Sequence, residues 1–220
     1  MTSPAPTAAP LVIAVDGPAA SGKGTIARAL ARHFGLPHMD TGLLYRAVAL
    51  NLFRFGGDPG NELEAVRACD LSAVSFDDDE LRSEIVGSYA SRISAYPAVR
   101  AHLLERQRGF AAQAGGAVLD GRDIGTVIAP DAAVKLFITA APEVRAKRRL
   151  TELVKRGMNV HYDEVLADIR ARDERDSGRE AAPLVQADDA LLLDTSAMDV
   201  EQAIAAALAL VDRRLAAIRR

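Results

Sequence analysis

Hydrophobic residues in this chain fall into short continuous runs, separated by stretches in which they recur every three or four positions. The runs lie at 11–16, 117–120 (Ala-Val-Leu-Asp), 133–139 (Ala-Val-Lys-Leu-Phe-Ile-Thr) and 190–194 (Ala-Leu-Leu-Leu-Asp). Continuous apolarity, rather than strict alternation, marks strands buried on both faces of a parallel sheet. The intervening stretches carry helical spacing. Ile26, Leu30 and Phe34 recur every four residues, and Gly42–Phe55 and Pro97–Ala112 read as helices. Val200, Ile204, Leu208, Val211, Leu215 and Ile218 keep the three- and four-residue spacing of a final amphipathic helix. The alternation predicts an α/β fold of three layers, a parallel sheet with helices on both faces.

Two regions break the pattern. Asp58 to Tyr96 has no strong strand signal; it holds an acidic turn, Asp77-Asp78-Asp79-Glu80, and a predicted helix from Leu81 to Ser91. Residues 145–179 carry ten basic side chains: Arg145, Lys147, Arg148, Arg149, Lys155, Arg156, Arg170, Arg172, Arg175 and Arg179. Acidic neighbours such as Glu152 and Asp173 fit a solvated helix face laced with ion pairs. Arg172, Asp176 and Arg179, spaced by four and then three, form one stripe that suits an arginine-bearing lid.

The first run leads into Gly17-Pro18-Ala19-Ala20-Ser21-Gly22-Lys23-Gly24-Thr25, which opens the first helical stretch. Strand, glycine-rich turn and helix start are the context of a phosphate-binding loop. Its glycines let main-chain N–H groups point inward, where the positive helix end adds to them. Lys23 reaches the terminal phosphates. The hydroxyl that usually follows the lysine is displaced by Gly24 to Thr25. Mg²⁺ is therefore expected to be held mainly by phosphate oxygens and water. This G-K-G-T form resembles the loop of nucleoside monophosphate kinases.

A second ligand is written into two strand-end turns. Asp40-Thr41-Gly42-Leu43-Leu44-Tyr45-Arg46 follows a short apolar segment, and Asp120-Gly121-Arg122-Asp123-Ile124-Gly125-Thr126 closes the third strand. Open α/β sheets bind ligands at that end, and arginine is the favoured bidentate phosphate ligand.

Bulk properties narrow the classes. The 220 residues suffice for one sizeable core and an inserted segment. A formal charge of −3 argues against a general nucleic-acid or membrane-surface binder. The single Cys69 cannot form an internal disulfide, residues 1–10 contain no Lys or Arg and read as a disordered tail, and no apolar stretch reaches the ~18 residues of a membrane span. A soluble, cytoplasmic monomer is expected. His33, His38, His102 and His161 are scattered, which suits surface or packing roles, and no guanine-reading N-K-x-D motif occurs.

Together, G-P-A-A-S-G-K-G-T, D-T-G-x-x-Y-R, A-S-R-I-S-A-Y-P-A-V-R, D-G-R-D-I-G-T and R-A-R-D-E-R-D-S-G-R resemble the motifs of bacterial cytidylate kinases, in the family's order across residues 11–194. The resemblance implies a single P-loop kinase domain over 11–220, with a nucleoside-monophosphate-binding insertion at 58–96 and a lid roughly over 148–180. It implies ATP with Mg²⁺ and CMP or dCMP as ligands. Gly17 to Thr25 would hold ATP, with Arg148 and Arg149 facing the triphosphate from the lid. Arg46 and Arg122 would clamp the acceptor phosphate. Thr41, in place of an expected serine, would face cytosine with Ser91, Arg100 and Asp123. Arg172 and Asp176 would contact ribose, and Arg179 phosphate; Lys23, Arg122 and Arg179 would be catalytic. The 58–90 segment is shorter than expected for many bacterial members, which add small strands there. Kinases acting on AMP, UMP or shikimate are the nearest rivals.

Overall fold

The computed structural model describes residues 10–218. The expected N-terminal tail lies outside them apart from Pro10. Five strands, β1 (Leu11–Asp16), β2 (His38–Asp40), β3 (Gly116–Gly121), β4 (Val134–Thr139) and β5 (Leu191–Asp194), form a parallel sheet in the order β2-β3-β1-β4-β5. The helices are α1 (Lys23–Phe34), α2 (Thr41–Arg54), α3 (Glu62–Arg67), α4 (Glu84–Ile93), α5 (Pro97–Ala111), α6 (Pro142–Lys155), α7 (Tyr162–Gly178) and α8 (Val200–Ile218).

The apolar run of β1 has a direct cause. Ile13 and Val15 pack with Ile26 and Leu30 of α1 and Ala207 and Val211 of α8. Val12 and Ala14, on the opposite face, pack with Ala111 of α5 and with Ile124 and Ile128. Both faces are covered, so every position from Leu11 to Val15 is apolar, and each buried Val, Leu or Ile contributes about 1.5–3 kcal/mol. From β1 the chain passes to β2 on one side of the sheet and later, from β3, to β4 on the other. The crevice beyond the carboxyl ends of β1 and β3 is therefore a topological switch point, where such sheets bind ligands.

The predicted helix over 81–91 is displaced. A 3₁₀ turn occupies Asp79–Arg82, and Ser83 caps α4, its hydroxyl accepting from the Val86 N–H, so the helix begins at Glu84 and runs to Ile93. Three residues of β2 and six of α3 were too short to leave a periodic signal. Residues 58–96 contain helices and turns and no strand. They pack against α2 and α5 around a separate core that includes Leu50, Leu81, Val86, Ile93 and Val99. Arg179 lies just past the end of α7, so only Arg172 and Asp176 of the predicted stripe are helical. No helix among the described residues is long and apolar enough to cross a membrane.

Candidate active site

The loop after β1 turns on two glycines. A Cβ on Gly17 would collide with the Ile138 carbonyl of β4, and Gly22 caps α1 in the left-handed conformation, φ 89°. Ala20 also has positive φ, 57°, an unusual geometry for a residue with a side chain. Gly17→Ala is expected to destabilise the fold by about 1–3 kcal/mol, because backbone cannot rotate out of the way as a side chain can. The midpoint of urea unfolding reads this directly.

A cavity of about 670 Å³ opens over the loop. Ala19, Ala20, Ser21, Gly22, Lys23, Gly24, Thr25, Arg148 and Arg149 line it; Gly17 and Pro18 stand behind the lining. Lys23 Nζ has only the Pro18 carbonyl, at 3.5 Å. Burial, and then the neighbouring Arg122 charge, bring its pKa down to about 8. Arg148 is tied to main chain, donating from Nη2 to the Thr195 (2.7 Å) and Met198 (3.2 Å) carbonyls. It braces the wall of the cavity. Arg149 pairs with Glu84 and Glu152.

A second, smaller cavity of about 110 Å³ adjoins the first. Thr41, Arg46, Ser91, Arg100, Arg122, Asp123, Arg172, Asp176 and Arg179, the residues that the resemblance assigns to the acceptor nucleotide, all line it. Arg46, Arg122 and Arg172 line both cavities. Burial lowers the Arg46 pKa to about 10, with help from the charges of Arg172 and Arg149. Asp123 pairs with Arg100, and Arg179 Nη2 lies 4.0 Å from its other oxygen. Burial raises the Asp123 carboxyl against the pull of these arginines. Thr41 Oγ1 donates to the Asp120 carbonyl at 2.8 Å, fixing the hydroxyl at the pocket wall. Arg179 Nη2 and the Tyr45 hydroxyl are buried without hydrogen-bond partners. Unpaired buried donors facing a cavity mark places for ligand acceptors.

Arg172 and Asp176 of the predicted stripe come from α7. Arg122 Nε donates to Asp176 Oδ2 at 2.8 Å, and Arg175 Nε donates to Ser91 Oγ at 3.2 Å. Arg145 of α6 is buried and grips both Asp173 oxygens, at 2.9 and 2.5 Å, while Nη1 also reaches the Ala19 carbonyl at 3.3 Å. The charge run thus splits. Arg156 and Arg170 make exposed ion pairs with Glu152 and Glu143, whereas Arg145 is buried and Arg149, Arg172 and Arg179 face the cavities.

Four residues escaped the sequence reading. Asp16, at the end of β1, accepts from the Ile124 (2.8 Å) and Gly125 (2.7 Å) N–H groups, which ties the Asp-Gly-Arg-Asp turn to the phosphate loop. Burial raises its pKa to about 6 despite those bonds. Asp40 and Asp120 line the large cavity beneath Lys23 and Gly24. Burial, and then Asp120, raise the Asp40 pKa. His38 Nε2 lies 2.7 Å from Asp120 Oδ1, so this histidine, which lines neither cavity, holds a carboxylate that does. All four stand at strand ends beside predicted motifs, the signal that could have found them.

A parallel sheet with a phosphate loop at its switch point, an arginine-lined second cavity and a charged helical pair above them defines a P-loop kinase. The fold is shared with solved structures. A gluconokinase from Sinorhizobium meliloti superposes with a TM-score of 0.51 at 15% identity, covering 93% of each chain. An uncharacterized protein from Eubacterium ventriosum gives 0.55 at 17% identity, covering 92% of this chain and 98% of that one. The family model described as cytidylate kinase matches residues 13–213. A cytidylate kinase of Xanthobacter autotrophicus is 61% identical over 208 residues, 94% of this chain and 99% of that protein. One from Brucella suis is 52% identical over 209 residues, 94% and 95% of the two chains. The chain belongs to the cytidylate kinase family.

Proposed function

We infer that the protein transfers the γ-phosphoryl group of ATP to CMP or dCMP, giving ADP and CDP or dCDP. The observation that carries this reading is the junction of the two cavities, where Arg46, Arg122 and Arg172 line both. ATP occupies the larger cavity with its phosphates in the glycine loop, and its base toward Thr195, Met198 and Val200. The monophosphate occupies the smaller one.

The acceptor is a phosphate oxygen, anionic at pH 7, so no general base is required. Positioning and neutralisation of two polyanions supply the catalysis. Lys23 neutralises the transferring group from below. Arg122, Arg172 and Arg179 neutralise it from the acceptor and lid sides, and Arg46 holds the acceptor phosphate. Closure of α6 and α7 over the junction excludes water, which would otherwise accept the phosphoryl group.

Asp40 and Asp120 fit a divalent cation. Two neighbouring carboxylates, one with a raised pKa, are relieved by positive charge. No group of three or more metal-ligating side chains occurs among the described residues. In this reading Mg²⁺ would be held by phosphate oxygens and by waters that Asp40 and Asp120 accept from. When bound, Mg²⁺ supplies further neutralisation of the phosphate oxygens. We propose that the enzyme works as a monomer, since one chain lines both cavities; sedimentation would test this.

Base selection rests on Asp123 and Arg100. A carboxylate accepts from the cytosine amino group and repels the uracil carbonyl in its place. Asp123→Asn supplies an amide donor to that carbonyl. Activity with CMP should fall, and the preference for CMP over UMP should narrow by about 1–3 kcal/mol in kcat/KM. Equal losses on both substrates would remove Asp123 from base recognition. A coupled ADP-release assay over CMP, dCMP, UMP and AMP tests the reading as a whole; transfer to AMP in preference to CMP would overturn it.

A further inference from the structure

Gly87 stands in the second turn of α4, where glycine weakens a helix and nothing in the backbone asks for it. Its φ is not positive, and no main-chain atom is among the three nearest neighbours of a Cβ built there. Those neighbours are all guanidinium nitrogens: Arg46 Nη2 at 2.8 Å, Arg172 Nη2 at 3.1 Å and Arg46 Nη1 at 3.2 Å. On its other side Arg46 is anchored, Nη1 donating to the Leu81 carbonyl at 2.7 Å and reaching the Ser83 carbonyl at 3.3 Å. The segment from Leu81 to Gly87 thus grips one guanidinium from two directions. Gly109, in the interior of α5, is exposed, and a Cβ there meets nothing within 4 Å.

We propose that Gly87 is a positioning residue for the acceptor phosphate, a notch in α4 that sets the depth of the Arg46 and Arg172 guanidiniums. This rests on the assignment of those two arginines to the monophosphate. A methyl group would fill the notch. Arg46 Nη2 would have to retreat by about 0.6 Å, from 2.8 to 3.4 Å, to regain ordinary van der Waals contact. Its Nη1 is already held at 2.7 Å by the Leu81 carbonyl, so the retreat disturbs that bond. Two like charges held side by side leave little slack, and displacements near 1 Å in such sites cost on the order of 10²-fold. Natural selection of glycine here would then reflect phosphate geometry and not helix stability.

Gly87→Ala and Gly109→Ala separate the two roles. Both should hold or raise the melting temperature, because alanine favours helix. Gly87→Ala should raise the KM and the calorimetric Kd for CMP by about tenfold to a hundredfold, with the KM for ATP unchanged. Gly109→Ala should change neither. In a background lacking both guanidiniums, Arg46→Ala with Arg172→Ala, adding Gly87→Ala should have no further effect on the calorimetric Kd for CMP beyond twofold. A Gly87→Ala enzyme with the wild-type KM for CMP overturns the proposal. So does one that loses melting temperature and both substrates together, which would make Gly87 a packing residue. Wild-type protein that fails to phosphorylate CMP would instead remove the functional reading beneath it.

Discussion

Lys23→Ala should lower kcat by about 10²–10³, the usual effect of removing one preorganised charge from a transferring group. The fold should survive. Among the described residues Lys23 makes no ion pair, and its one main-chain contact is long, at 3.5 Å. Burial already disfavours its charge, so alanine removes a cost to the native state. The same electrostatics give a second readout. The ammonium of the free protein titrates near pH 8, and a triphosphate beside it favours the charged form. ATP binding at pH 8–9 should therefore take up protons, seen as a buffer-dependent heat in calorimetry, and Lys23→Ala should abolish that uptake. A variant within threefold of wild type in kcat would sink the assignment of the glycine loop to catalysis.

What could be read from the residues, and what could not, divides along physical lines. Strands β1, β3 and β4 were legible because burial on both faces leaves continuous apolar runs; the edge strand β5 keeps such a run although Leu192 is exposed. The final helix was legible because Ile204, Leu208, Val211 and Leu215 of the predicted face do pack on the core, whereas Val200 and Ile218 at its ends are exposed. Lys23 and the arginines at strand ends were legible because phosphate recognition uses few residue types in fixed contexts. The nine motif residues assigned to the monophosphate do line one cavity, although α2, α4, α5, β3 and α7 bring them from positions 41 to 179. Pairings were not legible. Nothing in the spacing says that Arg145 meets Asp173, that Arg149 meets Glu84, or that His38 meets Asp120, since each contact depends on how helices and strands pack at long range. Arg148 shows the same limit. Its neighbour in sequence turns toward acidic side chains, while Arg148 itself is spent on carbonyls of the β5–α8 turn.

Arg122→Ala should cut kcat/KM for CMP by about 10²–10³ while ATP affinity stays within threefold. Arg122 lines both cavities and bonds to Asp176 of α7; in the proposed function it neutralises the transferring group from the acceptor side. Asp176 is buried, and burial alone would favour its neutral form, yet Arg122 outweighs this and holds its carboxyl below the ordinary value. A depressed carboxylate adds stability that is present above its ordinary pKa and lost as pH falls through the depressed one. The alanine variant should lose that acid-labile increment, giving a flatter stability profile below about pH 4. Arg122→Lys separates charge from geometry. It should recover much of the pairing with Asp176 and hence the stability, but little of the transfer rate, because an ammonium cannot present two parallel donors to a phosphate. Restored activity in the lysine variant would show that Arg122 acts as a point charge. Calorimetry that found ATP binding lost and CMP binding intact would mean that the two cavities hold the opposite nucleotides.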